Sequence, residues 1–387
     1  MQIARFRALC DERLPEMLGF LHRMVEINSF TANADGVNKV ADLVTETFQP
    51  LGFSAESVPV TLASGVECGD HLFLSTTPKP DLPTVVLISH LDTVFPAEEE
   101  LRNNFAWRPD GRRIYGPGTN DIKGGTALIH LLLSALSEAA PEVFNAANWI
   151  VALNSCEEID SQNFGDACKA RFPAETAGCL VFEGDGGWGD EWALVGARKG
   201  RATFTVAVEG RGAHAGGGHA SGANAIVQLA DVIGKLAALT DYETAVTVNV
   251  GSISGGTVPN RVPHEAAARL EMRSFDAASF ERTRDEILAL AGEGHVSSVD
   301  GHRCRVIVSL DDECGPWPAN PETERLLELW QAAGAQLGIH VQRQERGGLS
   351  DGNVLWDHFP TLDGLGPRGE NSHCSEHNED GTKTAEW

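Results

Sequence analysis

Val85 to Ile88 is an unbroken apolar run, and it ends in S-H-L-D. A strand of this kind must be covered on both faces, which is the situation inside a parallel sheet. Its last residues bring an imidazole, His90, and a carboxylate, Asp92, to the strand's carboxyl end. Active sites of open α/β sheets lie along that edge. A mostly polar segment follows, then G-P-G-T-N-D-I-K-G-G over 116–125, a glycine-rich loop that presents Asp121 and leads into an apolar helix.

The same pattern recurs. Trp149 to Leu153 is apolar and leads into N-S-C-E-E, and Gly178 to Phe182 leads into Glu183. Helices are expected over 11–28, 36–50 and 124–136, and further strands over 53–60 and 71–75. Beyond Arg198 the pattern changes to alternation, with Phe204, Val206 and Val208 between smaller or polar residues. Alternation marks strands with one covered face. Strand 202–209, helix 222–238, strands 244–251 and 265–273, helix 277–292 and strand 303–310 give the order βαββαβ. That order is a ferredoxin-like α+β layer. The α/β pattern then resumes with helix 321–337, strand 341–344, a short helix 350–358 and strand 360–365. The expected organisation is a catalytic domain over 1–197 and 313–387, interrupted by an inserted domain over 198–312. An α/β domain would ordinarily add a strand and a helix after His373, and the pattern stops at Trp387 without a helix stop signal.

With 30 Lys and Arg against 55 Asp and Glu, the formal net charge is −25. So acidic a surface argues against partners that are nucleic acids or anionic membranes. The amino terminus carries early acids and no continuous apolar core, unlike a secretory signal. None of the eight cysteines has C-x-x-C spacing, so free thiols in a reducing cytoplasm are expected.

Imidazole and carboxylate donors together suit zinc. In His90-Leu91-Asp92 the i, i+2 spacing puts both side chains on one face of an extended segment, so Asp92 can hold the second ring nitrogen of His90. Glu157 and Glu158 are adjacent acids that repel each other unless cations or a shared proton relieve them. One can bind metal while the other, its pKa raised by its neighbour, takes a proton from water.

The motifs H-L-D-T-V-F, G-P-G-T-N-D-I-K-G-G, C-E-E, V-F-E-G-D, G-A-H-A-G, N-R-V-P and G-L-G-P-R-G-E-N-S-H occur in one order. In this the chain resembles the two-zinc exopeptidase and amidohydrolase family of glutamate carboxypeptidases, aminoacylases, acetylornithine deacetylases and succinyl-diaminopimelate desuccinylases. The likeness runs from about residue 15 to the end and is strongest to glutamate carboxypeptidase-like members. It implies a phosphorylase/hydrolase-like α/β catalytic domain with a central mixed sheet, plus the inserted ferredoxin-like domain. It implies two divalent metal ions, zinc in the first instance, with His90 and Glu183 on one, Glu158 and His373 on the other, and Asp121 bridging. It implies Glu157 as general base, Asp92 as the clamp behind His90, and a cis peptide bond after Asp121. His214 would stabilise the oxyanion across a homodimer formed by residues 198–312. Asn260, Arg273, Gly347, Gly348 and Ser350 would contact substrate, with Arg273 taking a terminal carboxylate.

The implied reaction is hydrolysis of an amide bond in a peptide or N-acyl amino acid with a free carboxylate. An N-acyl amino acid deacylase or a di- or tripeptidase is the second enzymatic reading. A metal-binding homologue without activity is a third, and the retained pair Glu157 and Glu158 argues against it.

Overall fold

In the computed structural model, which describes residues 3–62, 65–184, 187, 191–378 and 382–387, the strand Thr84–His90 lies inside a six-stranded mixed sheet. It pairs in parallel with Asn148–Asn154 on one side and Thr176–Val181 on the other. His71–Ser75 and Ser54–Val58 extend the sheet antiparallel beyond the first, and Thr361–Leu362 adds a parallel pair beyond the second. The chain falls into two compact units. One comprises Met1–Gly196, Ala319–Glu345 and Ser350–Trp387, and the other Ala197–Pro318 and Arg346–Leu349.

In the first unit, Leu87, Val151 and Leu153 from the sheet pack with Ile129, Leu133, Phe20, Met24 and Val44 from flanking helices. Full burial of each such side chain contributes about 1.5–3 kcal/mol relative to exposure. The helix Lys123–Ala139 can start where it does only because two glycines open it. A Cβ on Gly124 would stand 2.2 Å from the Thr119 carbonyl oxygen, and one on Gly125 2.5 Å from that of Phe182. The glycines let this helix approach the strand-end loops. The first helix is Ile3–Val25, longer at its start than expected, because the residues before Leu9 are mostly exposed and carry no apolar period. The expected helix 350–358 is a 3₁₀ turn, Asp351–Val354.

The second unit is one antiparallel sheet in the order Thr247–Gly255, Glu265–Ser274, Gly200–Glu209, Arg303–Cys314, Gly292–Ser297. Its covered face presents Phe204, Val206, Val208, Leu270 and Met272 to Leu229, Val232, Leu236, Phe280 and Ile287. Asn224 and Asp276 cap the two covering helices, accepting from the N–H groups of Val227 and Ser279. The sheet has a fifth strand, Gly292–Ser297, in the stretch between the expected helix 277–292 and strand 303–310, where no element was predicted. The helix from Ala277 stops at Leu288, short of the expected 292. Gly292 follows with φ of 138°, and the buried Gln228 side chain accepts the N–H of Val296 at 3.0 Å, which draws the segment onto the sheet. At the opposite edge, Thr247–Gly255 has one partner strand, carries a bulge between Val250 and Ser252, and leaves Ile253 63% exposed. Among the described residues no helix is long and apolar enough to cross a membrane. Asp185, the last residue of V-F-E-G-D, lies outside the described residues.

Candidate metal centre

The parallel register decides what meets at the sheet edge. His90 pairs with Asn154, and Ile88 with Val181, so the three strands finish within two residues of one another and deliver His90, the Glu157–Glu158 turn and Glu183 to one place. The glycine loop brings Asp121 there, with the Asp121–Ile122 peptide in the cis form. His373 arrives from the loop after the last strand with φ of 67°, in the left-handed region a non-glycine residue rarely adopts.

Two groups of ligand atoms form, one from His90, Asp121 and Glu183 and one from Asp121, Glu158 and His373. His90 Nε2 lies 3.0 Å from Asp121 Oδ1 and 3.8 Å from Glu183 Oε1. His373 Nε2 lies 3.4 Å from Asp121 Oδ2 and 3.2 Å from Glu158 Oε2. Asp121 therefore offers one oxygen to each group. Glu157 and Cys374 belong to neither group.

The electrostatics ask for cations. Burial alone would lower the His90 pKa, but hydrogen bonds to Asp121 and Asp92 outweigh it and raise it well above the usual value. Hydrogen bonds to Asp121 and Glu158 raise His373 to about 11. Burial would raise Asp121, and the two imidazoles instead hold it low. Burial lifts Glu158 to about 6 and Glu157 well above the ordinary carboxylate range. The second oxygen of Glu158, Oε1, is buried with no hydrogen-bond partner. Positive ions among these carboxylates would leave both imidazoles neutral, the form in which they ligate. The donor set, nitrogen and carboxylate oxygen, fits divalent metal.

Asp92 does more than stand behind His90. His90 Nδ1 points to the Asp92 main-chain carbonyl at 3.0 Å, with the carboxylate at 3.3 Å. That carboxylate, fully buried, accepts the backbone N–H groups of Glu157 and Glu158 and the hydroxyl of Thr31 at 2.7 Å. Asn154 holds the same turn from the other side: its side-chain carbonyl accepts the Cys156 N–H, and its amide donates to the buried Asp351. Sequence reasoning gave no role to Thr31, Asn154 or Asp351, although Asn154 opens the N-S-C-E-E run.

Within the second unit, His214 is exposed. Its Nδ1 accepts N–H groups from Gly216 and Gly217 at 3.1 and 3.0 Å, which leaves the proton on Nε2. The Asn260 carbonyl accepts the N–H of Ala215, so Asn260 and the loop after His214 are joined through their backbones. Arg273 donates to both oxygens of Glu271 and to the Gly347 carbonyl, while Arg198 donates to that of Gly348. The two arginines thus hold the glycine pair. In the first unit, Ser350 departs from the expected substrate contact. It is fully buried, its hydroxyl donates to Asp363 at 2.8 Å and accepts the N–H of Gly352, and it caps the 3₁₀ turn instead.

Residues 196–298 match the model of a peptidase dimerisation domain. Carboxypeptidase G2 of Pseudomonas sp. (strain RS-16) is 25% identical over 375 residues, which cover 96% of this chain and 86% of that protein. Among solved structures, aminopeptidase PepT of Bacillus cereus superposes with a TM-score of 0.70 at 22% identity, covering 93% of this chain and 92% of the other. The Saccharomyces cerevisiae di-peptidase Dug1p does so with 0.69 at 14% identity, covering 98% and 94%. Residues 196–298 thus belong to the peptidase dimerisation domain family, and a sheet edge that gathers candidate metal-ligand side chains from four separate loops and a strand end agrees with the chain's likeness, over most of its length, to a carboxypeptidase and to the fold of an aminopeptidase and a di-peptidase.

Proposed function

We propose that the chain hydrolyses the amide bond of a peptide or N-acyl amino acid that carries a free carboxylate, in the manner of glutamate carboxypeptidase-like enzymes. The observation that carries the reading is the pair of ligand groups sharing Asp121, with Glu157 adjacent in the chain and in neither group. His90, Asp121 and Glu183 would hold one divalent ion, and Asp121, Glu158 and His373 the other, zinc in the first instance. Bound there, the ions would acidify the attacking water and polarise the scissile carbonyl.

The chain's own residues supply the rest. Glu157, a partly buried carboxylate fixed through its own backbone N–H, takes the proton from water and returns it to the leaving amine. His214, with its proton on Nε2, donates to the developing oxyanion from across a homodimer. Asn260 and Arg273 orient the substrate, and two of the five N–H groups of Arg273 remain for a carboxylate once Glu271 and Gly347 are served. Gly347 and Gly348 shape the substrate loop. The open edge Thr247–Gly255 is the surface for a second copy, since an exposed strand edge invites pairing.

Metal analysis of the purified protein, followed by a screen of N-acylglutamates, other N-acyl amino acids, dipeptides and tripeptides, tests the reading. Metal-dependent release of the carboxyl-terminal amino acid is expected. Metal-loaded protein that cleaves none of these compounds would sink it.

A further inference from the structure

Glu386 is fully buried beside the proposed metal centre and has no part in the reaction as described above. Its Oε1 accepts two backbone N–H groups, from Asn120 at 3.0 Å and Asp121 at 3.1 Å. Its Oε2 is buried with no hydrogen-bond partner. Burying a carboxyl group is costly unless its bonds return the loss, and here the return comes from the two backbone N–H groups of the Asp121 loop. The residue's backbone is engaged as well. Its carbonyl accepts the N–H of Gly116 at 3.4 Å, and its N–H donates to the Cys374 carbonyl at 2.8 Å.

These bonds join two loops that are far apart in sequence. One, from Gly116, presents Asp121. The other presents His373 in its left-handed conformation, between Asn371, also at positive φ, and Cys374. Such a conformation persists where the surroundings over-determine it. The surroundings here are the segment of Glu386: Trp387 and Glu370 exchange backbone hydrogen bonds at 3.3 Å in both directions, and Glu386 ties Cys374. Asn120 adds a cross-link, donating from its side chain to the Ser372 hydroxyl at 2.8 Å.

We propose that Glu386 is a positioning residue of the metal centre: its carboxylate fixes Asp121 through the N–H groups of residues 120 and 121, and its backbone holds the His373 loop against the same loop. The inference rests on the metal-centre reading. Asp121 would ligate both ions, so a displaced Asp121 loosens both positions at once. Supporting partners of metal ligands typically change affinity by about 10–100-fold when removed.

The test is Co²⁺ binding to the metal-free full chain, read by visible absorption and by competition with a chelator, for wild type, Glu386→Ala, Glu386→Asp and Glu386→Gln. Thermal melting of each metal-free variant is followed alongside. Glu386→Ala removes the acceptor and should weaken Co²⁺ binding tenfold or more, with an altered absorption band. Glu386→Asp keeps the charge but draws the oxygen back by one methylene, and should weaken binding similarly. Glu386→Gln keeps an oxygen able to accept both N–H groups and should restore most of the affinity and the wild-type band. A merely structural role would lower the melting temperature and leave affinity and band unchanged in the folded fraction. Wild-type affinity in Glu386→Asp overturns the proposal, even where Glu386→Ala fails to fold. So does Glu386→Gln binding as weakly as Glu386→Asp, since charge rather than hydrogen-bond acceptance would then matter. Wild-type protein that takes up no Co²⁺ refutes the metal centre itself, and the inference with it.

Discussion

Asp92 Oδ1 accepts the backbone N–H of Glu157 at 3.1 Å, and Oδ2 of the same carboxylate accepts that of Glu158 at 3.3 Å. The residue behind the first histidine thus also sets where the two adjacent glutamates stand. One carboxylate couples the orientation of His90 to the placement of the proposed base and of a proposed ligand.

Asp92→Asn should therefore disturb more than one imidazole. An amide has a single acceptor oxygen, so one glutamate N–H loses its partner and faces an NH₂ group instead. Leaving a buried donor unsatisfied costs about 1–3 kcal/mol. A fall in kcat/KM of about 10–100-fold is expected, as for other supporting partners of ligands, together with a lower midpoint in urea. Wild-type turnover and stability would show that the turn is held by other contacts.

The two glutamates should separate in a metal assay. Glu157→Gln should keep its metal and lose about 10²–10⁴-fold in kcat, with KM little changed. Glu158→Gln should lose metal, because it removes a charged ligand. The reverse pattern, with metal stripped from Glu157→Gln and both metal and activity kept in Glu158→Gln, would exchange the two roles.

His214→Ala should lower kcat by about 10²–10³-fold, the usual loss when an oxyanion donor is removed. Complementation tests whether it acts across the dimer. Co-expressed Glu157→Gln and His214→Ala chains can assemble one intact site if His214 serves the partner, and activity should return. Mixed dimers that stay inactive would place His214 in its own subunit's site or outside the reaction.

His71 predicts a pH dependence unrelated to metal. It is fully buried and its Nδ1 accepts the N–H of Ser155 at 3.2 Å, so the folded state needs the neutral ring. Burial lowers its pKa to about 4 from the usual 6.5. The folded chain then binds fewer protons than the unfolded one below pH 6.5. Stability is lost as pH falls from about 6.5 to about 4, by roughly 3 kcal/mol at 1.36 kcal/mol per unit. Urea unfolding of metal-free protein at pH 7 and pH 5 measures this, and His71→Asn should flatten the difference. Equal slopes in the two proteins would assign the pH sensitivity elsewhere.

The apolar runs ending at His90 and near Glu158 and Glu183 are readable in the sequence because a strand's burial is written in consecutive residues. So is the glycine loop, whose close approaches tolerate no Cβ. Glu386, Asp351 and Thr31 are not readable, because they act on backbone groups or distant side chains, and any exposed acid or threonine looks the same. Ser350 was legible only through the family resemblance; the partner of its buried hydroxyl, Asp363, lies thirteen residues on. The fifth strand of the second unit hangs on Gln228, a polar residue whose place in a helix gives no sign that its amide reaches a sheet.

The close finish of the three parallel strands, within two residues of one another, has a consequence for the protein without its ions. His90 and Asn154 end an unbroken ladder, Val181 ends one that is regular from Val85 onward, and buried side chains pack these strands into the core. Amide protons along Val86–Ile88 and Val151–Leu153 should therefore exchange only on global opening, with or without a chelator present. Emptying the site would leave that scaffold shut, so metal can leave and return to a framework that never has to refold.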